Sequence, residues 1–257
     1  KSSEEKAKEI PVMPEELTVS MLPSYPGYEK TNRKVPIGLD TDTLQMYYLS
    51  MEQTPAFVIG NAKTGKTNVI KNMLSMVSGE KVYLFDNKSH ELAAYQSREN
   101  VVYASDKSTV ADALKQIKED IFARKEDYEE AKLDDVSLSI ESFAKTLPPI
   151  YVMVDMLQEL YDNVAEDNSM IDILEEAVRY GIYVLVTSEF KVKKMTRSKF
   201  IEMLLASREV LILGNIKDQL LFSYTGVREE NRKVEFGYYH NAGINRKVKL
   251  ILHKGIS

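Results

Sequence analysis

Gly60-Asn61-Ala62-Lys63-Thr64-Gly65-Lys66-Thr67 is the stretch that decides the fold. It meets the pattern G-x-x-x-x-G-K-[ST] at every specified position. The apolar run Ala56-Phe57-Val58-Ile59 leads straight into it and a helix pattern leaves it, which is the context a phosphate-binding P-loop requires. Such a loop needs glycine or small residues because its backbone N–H groups turn inward around phosphate oxygens, while the amino end of the next helix adds positive potential. Gly60 and Gly65 supply that freedom. Lys66 is spaced to reach the β- and γ-phosphates of ATP as a mobile point charge, and the Thr67 hydroxyl to complete the coordination of Mg²⁺. The expected nucleotide-binding set is Gly60, Asn61, Ala62, Lys63, Thr64, Gly65, Lys66, Thr67 and Asn68. The competing reading is a glycine-containing strand-to-helix turn that binds nothing.

Outward from this loop, short apolar runs alternate with helical patterns, the signature of βαβ units and a mostly parallel sheet. Strands are predicted at Gln45 to Leu49, Pro55 to Ile59, Lys81 to Phe85, Val101 to Ala104, Ile150 to Val154, Tyr183 to Thr187 and Val210 to Leu213. Alternation in Val234 to Tyr239 and Arg246 to Leu252 predicts a closing antiparallel pair. Helices are predicted at Lys66 to Met76, Thr109 to Ala131, Ser139 to Leu147, Ile171 to Tyr180 and Ser198 to Ala206. In the second of these, Val110, Leu114, Ile117, Ile121 and Phe122 form one buried stripe, and Glu126 to Glu130 read as solvated surface. Residues 1–35, punctuated by Pro11, Pro14, Pro23 and Pro26, read as an extended lead-in or linker, and residues 36–257 as the domain. The fold class is therefore α/β: a P-loop NTPase of RecA-like kind, with a mostly parallel central sheet flanked by helices and an antiparallel C-terminal strand pair.

Composition narrows the function classes. With 257 residues, 44% hydrophobic and 28% charged, the chain has the balance of a globular protein with a sizeable core. No uncharged apolar run reaches the roughly 18 residues of a membrane span. Cysteine is absent, which excludes thiolate metal sites and fits a reducing compartment such as the cytosol. A net charge of −5 argues against a domain devoted to gripping nucleic acid. The chain opens at Lys1 rather than Met, as expected of a piece of a longer protein.

A P-loop enzyme needs a second Asp at the end of a neighbouring apolar strand to hold the magnesium water shell, and Ile150-Tyr151-Val152-Met153-Val154-Asp155 provides it. The Mg²⁺ set is thus Thr67 and, through water, Asp155. In many such hydrolases the next residue is a carboxylate that polarises the attacking water. Here it is Met156, which can neither accept nor donate a proton, so hydrolysis is expected to be weak or absent. Glu159 lies one helical turn beyond Asp155 and could point back toward the site, but a helix-surface glutamate serving solubility is the favoured reading. After the strand at Tyr183, Ser188-Glu189 stands where a γ-phosphate sensor is expected, and Glu189 would repel a phosphate.

Several segments beyond the loop resemble the FtsK/SpoIIIE class of hexameric P-loop motors. Val35-Pro36-Ile37-Gly38-Leu39-Asp40 is similar to their approach segment, and Leu84-Phe85-Asp86-Asn87-Lys88-Ser89-His90-Glu91-Leu92 to their D-x-K-x-x-E-L signature. Gly181-Ile182-Tyr183-Val184-Leu185-Val186-Thr187 resembles their G-I-H-L-I-L-A-T strand, which continues with glutamine and arginine where this chain has Ser188 and Glu189. Within the class, the Pro-containing lead-in around Ile10 to Met13, the acidic balance and the departures at Met156, Ser188 and Glu189 look most like the last ATPase domain of the type VII secretion coupling protein, the EssC/YukB/EccC group. The resemblance implies a membrane-anchored parent with tandem ATPase domains on the cytoplasmic side and a possible hexamer. Its implied partners are those other domains and secreted helical WXG-type proteins, with no nucleic acid.

The remaining candidates have bland readings. His90, His240 and His253 lack metal-ligand spacing and read as incidental. Lys191, Lys193, Lys194, Arg197 and Lys199 read as a solvated loop in an acidic chain. Arg228 and Arg232, near Gly226, are candidates for an arginine finger acting on a neighbouring subunit's site. Three functions follow for test: an ATP-binding, catalytically degenerate secretion module that docks substrate or regulates export; an active motor translocating protein or DNA; and a nucleotide-free platform for peptides.

Overall fold

Strands with apolar residues at every position need cover on both faces, and the computed structural model, which describes residues 12–164, 169–191, 198–227 and 233–254, supplies it. The strands are β1 (Lys34–Asp40), β2 (Met46–Ser50), β3 (Ala56–Gly60), β4 (Lys81–Phe85), β5 (Val101–Ala104), β6 (Ile150–Val154), β7 (Ile182–Ser188), β8 (Glu209–Leu213), β9 (Phe236–Asn241) and β10 (Ile244–Leu250). Among the described residues they form one ten-stranded sheet in the order β2-β1-β10-β9-β8-β3-β7-β6-β4-β5. The half from β8 to β5 is parallel throughout, and the half from β9 to β2 is antiparallel. The strand that carries the P-loop, β3, lies between β8 and β7, with β7 separating it from the Asp155 strand, β6. This is the mixed, mostly parallel helix-flanked sheet expected, and β9 with β10 is the antiparallel closing pair.

Helices α1 (Lys66–Met76), α2 (Lys107–Asp134), α3 (Ile140–Thr146), α4 (Leu157–Val164), α5 (Ser169–Ala177) and α6 (Lys199–Leu205) cover the two faces. Alternate residues of β3 divide between two cores. Phe57 and Ile59 join the cluster with α2, α4, α5 and α6, whereas Ala56 and Val58 join the cluster with α1, β1 and β10. Asp106 caps α2 by accepting from the amides of Ser108 and Thr109, which starts that helix two residues before the predicted Thr109. Along α2, Val110, Leu114, Ile117 and Ile121 are buried as expected, but Phe122 is 60% exposed. At about 100° per residue, Phe122 points a quarter-turn away from Ile121 and off the stripe.

Among the described residues, one strand and one α-helix were not foreseen. β1 escaped because Pro36 and Gly38 interrupt its alternation, and the β1–β2 register does shift between them. The eight-residue α4 escaped because it begins immediately after the Asp155-Met156 turn. The described part of the lead-in includes a 3-10 turn at Val19–Ser24 and buries Leu17, Leu22 and Tyr25 against Leu39, Met46 and Ile251. Ile10, Lys193, Lys194, Arg197, Arg228 and Arg232 lie outside the described residues.

Parallel strands end at the same edge of a sheet, so the loops after β3, β4, β6 and β7 all open at one carboxyl edge, where α/β sheets collect their ligands. The candidates around Lys66, Asn87, Asp155 and Glu189 share that edge because the strands before them run parallel.

Candidate nucleotide site

The loop leaves β3 at Gly60, whose hydrogen faces Thr64 so closely that a Cβ there would stand 2.4 Å from the Thr64 hydroxyl and 2.9 Å from Leu213 Cβ. At the other end Gly65 has φ +99°, a backbone that side-chain-bearing residues avoid, and it opens α1 without any side-chain cap. The first-turn amides of α1 therefore have no capping side chain, and no acidic residue occupies that turn. Thr64 Oγ1 donates to Asn61 O at 2.8 Å and ties the loop across its base.

Lys66 is only 6% exposed. Its ammonium donates to the carbonyls of Gly60 at 2.8 Å and Asn61 at 2.6 Å, so it lies folded over the loop it anchors. Burial pushes its pKa down from the usual lysine value, and the nearby carboxylates of Glu189 and Asp155 pull it back up.

The two residues expected to share a metal ion are in contact. Thr67 Oγ1 donates to Asp155 Oδ2 at 2.8 Å. The same carboxylate accepts from Asn87 Nδ2 at 2.7 Å and from Thr187 Oγ1 at 2.8 Å, and Thr187 in turn accepts from Met156 N at 2.9 Å. Thr67 at the start of α1, Asn87 after β4 and Thr187 near the end of β7 thus converge on one buried carboxylate just after β6. Burial raises the Asp155 pKa, while the hydrogen bonds from Thr67 and Thr187 restrain the rise.

A cavity of 730 Å³ opens in front of this cluster, lined by residues 62–68 together with Asn87, Met156, Glu159 and Glu189. Its volume lies in the range of small-molecule sites. Met156 reaches the cavity from a left-handed backbone, φ +71°. Gly60 and Asn61 present carbonyls to Lys66 rather than lining the cavity. The Asn68 side chain is engaged by the tail: Nδ2 donates to Ile251 O at 2.6 Å, and Oδ1 accepts from His253 N at 2.7 Å.

Three residues have roles that local sequence did not show. Glu159, read as a solubilising surface residue, lines the cavity and accepts from Lys88 N at 2.6 Å, which pins the loop after β4. Asn87 bonds Asp155 directly, and the D-x-K stretch that contains it was the available signal. His253, read as incidental, lines the cavity, 185 positions away from the Asn68 it bonds.

No protein-family model matches the chain. Among curated relatives, it is 24% identical over 256 residues to the ESX secretion system protein EccC of Geobacillus thermodenitrificans, covering 95% of this chain and 17% of that protein. It is 30% identical over 129 residues to the ESX secretion system protein YukB of Bacillus subtilis, covering 49% of this chain and 9% of that protein. The chain therefore spans less than a fifth of either relative. Among solved structures, EssC (ATPases 2 and 3) of Geobacillus thermodenitrificans superposes with a TM-score of 0.79 at 23% identity, over 95% of this chain and 46% of that one. Thermomonospora curvata EccC (ATPases 2 and 3), solved in complex with a signal sequence peptide, superposes at 0.67 and 18% identity, over 95% and 44%. At these identities the structural likeness is one of fold.

Proposed function

We propose that this chain, which is an ATPase domain of the EssC/EccC/YukB group, binds Mg-ATP at the carboxyl edge of its sheet and hydrolyses it slowly or not at all, as a nucleotide-responsive module of a protein-secretion coupling ATPase. The observation that carries the binding half is the 2.8 Å bond from the Thr67 hydroxyl to Asp155. A hydroxyl that gives its proton to a carboxylate keeps its lone pairs free, which is the donor set a magnesium ion takes from a P-loop threonine and a strand-end aspartate. Thr67 would hold the ion directly and Asp155 through water, and the ion would neutralise phosphate charge.

The chain's own groups divide the remaining work. The loop from Ala62 to Gly65 and the uncapped start of α1 would hold the phosphates, and Lys66, which now donates to the Gly60 and Asn61 carbonyls, would supply its ammonium to them. Asn87 and Thr187 fix the orientation of Asp155. Met156 brings no base to the attacking water, which supports weak turnover.

Titration of Mg-ATP into the wild-type chain and Lys66→Ala tests binding, and turnover measured beside Met156→Glu tests degeneracy. Absence of binding at millimolar nucleotide would leave the nucleotide-free peptide platform as the surviving reading. A second reading, a competent motor, is favoured by one observation: Glu159 and Glu189 place carboxylates on the same cavity. Wild-type turnover of about 1 per second or more, an ordinary rate for phosphoryl transfer, would establish it.

The wider role rests on the relatives. The 1–35 lead-in and the 36–257 module are proposed to follow other ATPase modules in a membrane-anchored parent, on its cytoplasmic side and within a hexamer. The peptide bound to Thermomonospora curvata EccC supports a part for this module in receiving the signal of small helical WXG-type export substrates.

A further inference from the structure

The phosphate loop accounts for part of the lining of the 730 Å³ cavity and leaves the rest to be explained. There the wall passes from Asn68 one turn along α1 to Lys71, across to Ser89 and Glu91, and over to His253 in the C-terminal tail. A nucleoside triphosphate held by the loop must send its base somewhere, and a base needs a flat, weakly polar surface. Among the residues lining this cavity, His253 carries the one aromatic ring.

The tail that carries the ring is pinned by backbone hydrogen bonds, and the ring itself meets Tyr95. The tail reaches it from β10 through Ile251, whose carbonyl accepts from both Asn68 Nδ2 at 2.6 Å and Asn72 Nδ2 at 2.8 Å. The backbone N–H of His253 donates to Asn68 Oδ1 at 2.7 Å, and Leu252 N donates to Leu17 O at 2.7 Å. The ring's Nε2 stands 3.5 Å from the hydroxyl of Tyr95, whose own ring is covered by the Arg98 guanidinium at 4.6 Å. Asn68 thus couples the helix that starts at the phosphate loop to the tail that carries the ring. Burial, with Lys71 and Arg98 nearby, lowers the His253 pKa and favours the neutral imidazole, a better stacking face than a cation beside two other cations. Lys71, on the same stretch of wall, is paired with Glu91 at 3.7 Å.

We propose that His253 is the base-recognition residue of this site, stacking on the heteroaromatic base of the nucleotide whose phosphates lie on Gly60 to Thr67. This rests on the P-loop reading above and adds a binding residue to it. His253→Ala keeps the backbone bond to Asn68, and His253→Phe keeps a stacking surface.

Calorimetric titration of Mg-ATP and of inorganic tripolyphosphate into the 257-residue wild type and both variants is the test. His253→Ala is expected to weaken Mg-ATP by at least about fivefold while tripolyphosphate stays within about twofold, and His253→Phe to retain ATP affinity. Unchanged ATP affinity in His253→Ala overturns the proposal and leaves the phosphate site standing. An equal loss for both ligands overturns it too, because the residue would then only brace the tail. A wild type that binds neither ligand defeats the P-loop reading itself, and the proposal with it.

Discussion

Thr67 and Asp155 are 88 positions apart in the chain and 2.8 Å apart in the fold, joined by a hydroxyl-to-carboxylate hydrogen bond. The bond exists because β3 and β6 are parallel strands separated only by β7, so the residues that follow them emerge at one edge. Around it the Asp155 carboxylate is satisfied by Asn87 and Thr187, which costs less than leaving a buried charge unpaired.

Asp155 makes the site pH-dependent in a definite direction. Its native pKa is raised above the ordinary 3.8, so the folded chain holds this proton more tightly than the unfolded one. Its contribution to stability is complete below the ordinary value and is lost as pH rises through the raised native one. Asp155→Asn is therefore expected to gain stability relative to wild type as pH climbs through that window. Denaturant midpoints for both chains at stepped pH check this, and a difference that stays constant contradicts it. Mg-dependent nucleotide affinity is expected to rise over the same window.

On the proposed reading, Met156 takes the place that a water-activating carboxylate holds in competent hydrolases. Met156→Glu is expected to raise ATP turnover by about a hundredfold, the lower end of what a positioned base contributes, with little change in nucleotide affinity. Steady-state phosphate release with Mg-ATP measures it. Turnover that is already substantial in wild type and indifferent to the substitution would show that Glu159 or Glu189 does this work.

Arg124 carries structural load away from the site. It is buried, donates to Tyr180 O at 2.7 Å and also bonds Pro148 O, joining α2 to the turns before β7 and β6. Arg124→Met leaves both carbonyls without that donor and is expected to cost about 2 to 4 kcal/mol, measured by denaturant unfolding. A loss within experimental scatter would mean that water replaces the guanidinium.

Asn68 ties the tail to α1 through Ile251 and His253. Asn68→Ala is expected to destabilise the chain by about 1 to 2 kcal/mol through the loss of two hydrogen bonds. Hydrogen exchange at the amides of Leu252 and His253 should accelerate, and unchanged protection there would contradict this tie between tail and helix.

Much of this was legible in the sequence because the signals are local. The run from Ala56 to Thr67 announces strand, loop and helix at once, and the apolar run Ile150 to Val154 ends on its aspartate. What escaped depends on distant packing. Glu159 looks like a surface residue until the fold brings Lys88 N to it, and His253 looks incidental until β10 delivers the tail to Asn68. Phe122 was misplaced because a neighbour of a buried residue is not on the same helical face.

The most direct test of the central claim is calorimetric titration of Mg-ATP into the wild-type chain and into Lys66→Ala. The expected result is saturable one-site binding by wild type, weakened by about tenfold to a hundredfold in the variant, as for loss of a charge-assisted contact. Equal affinity in the two chains, or no binding by either at millimolar nucleotide, would contradict it.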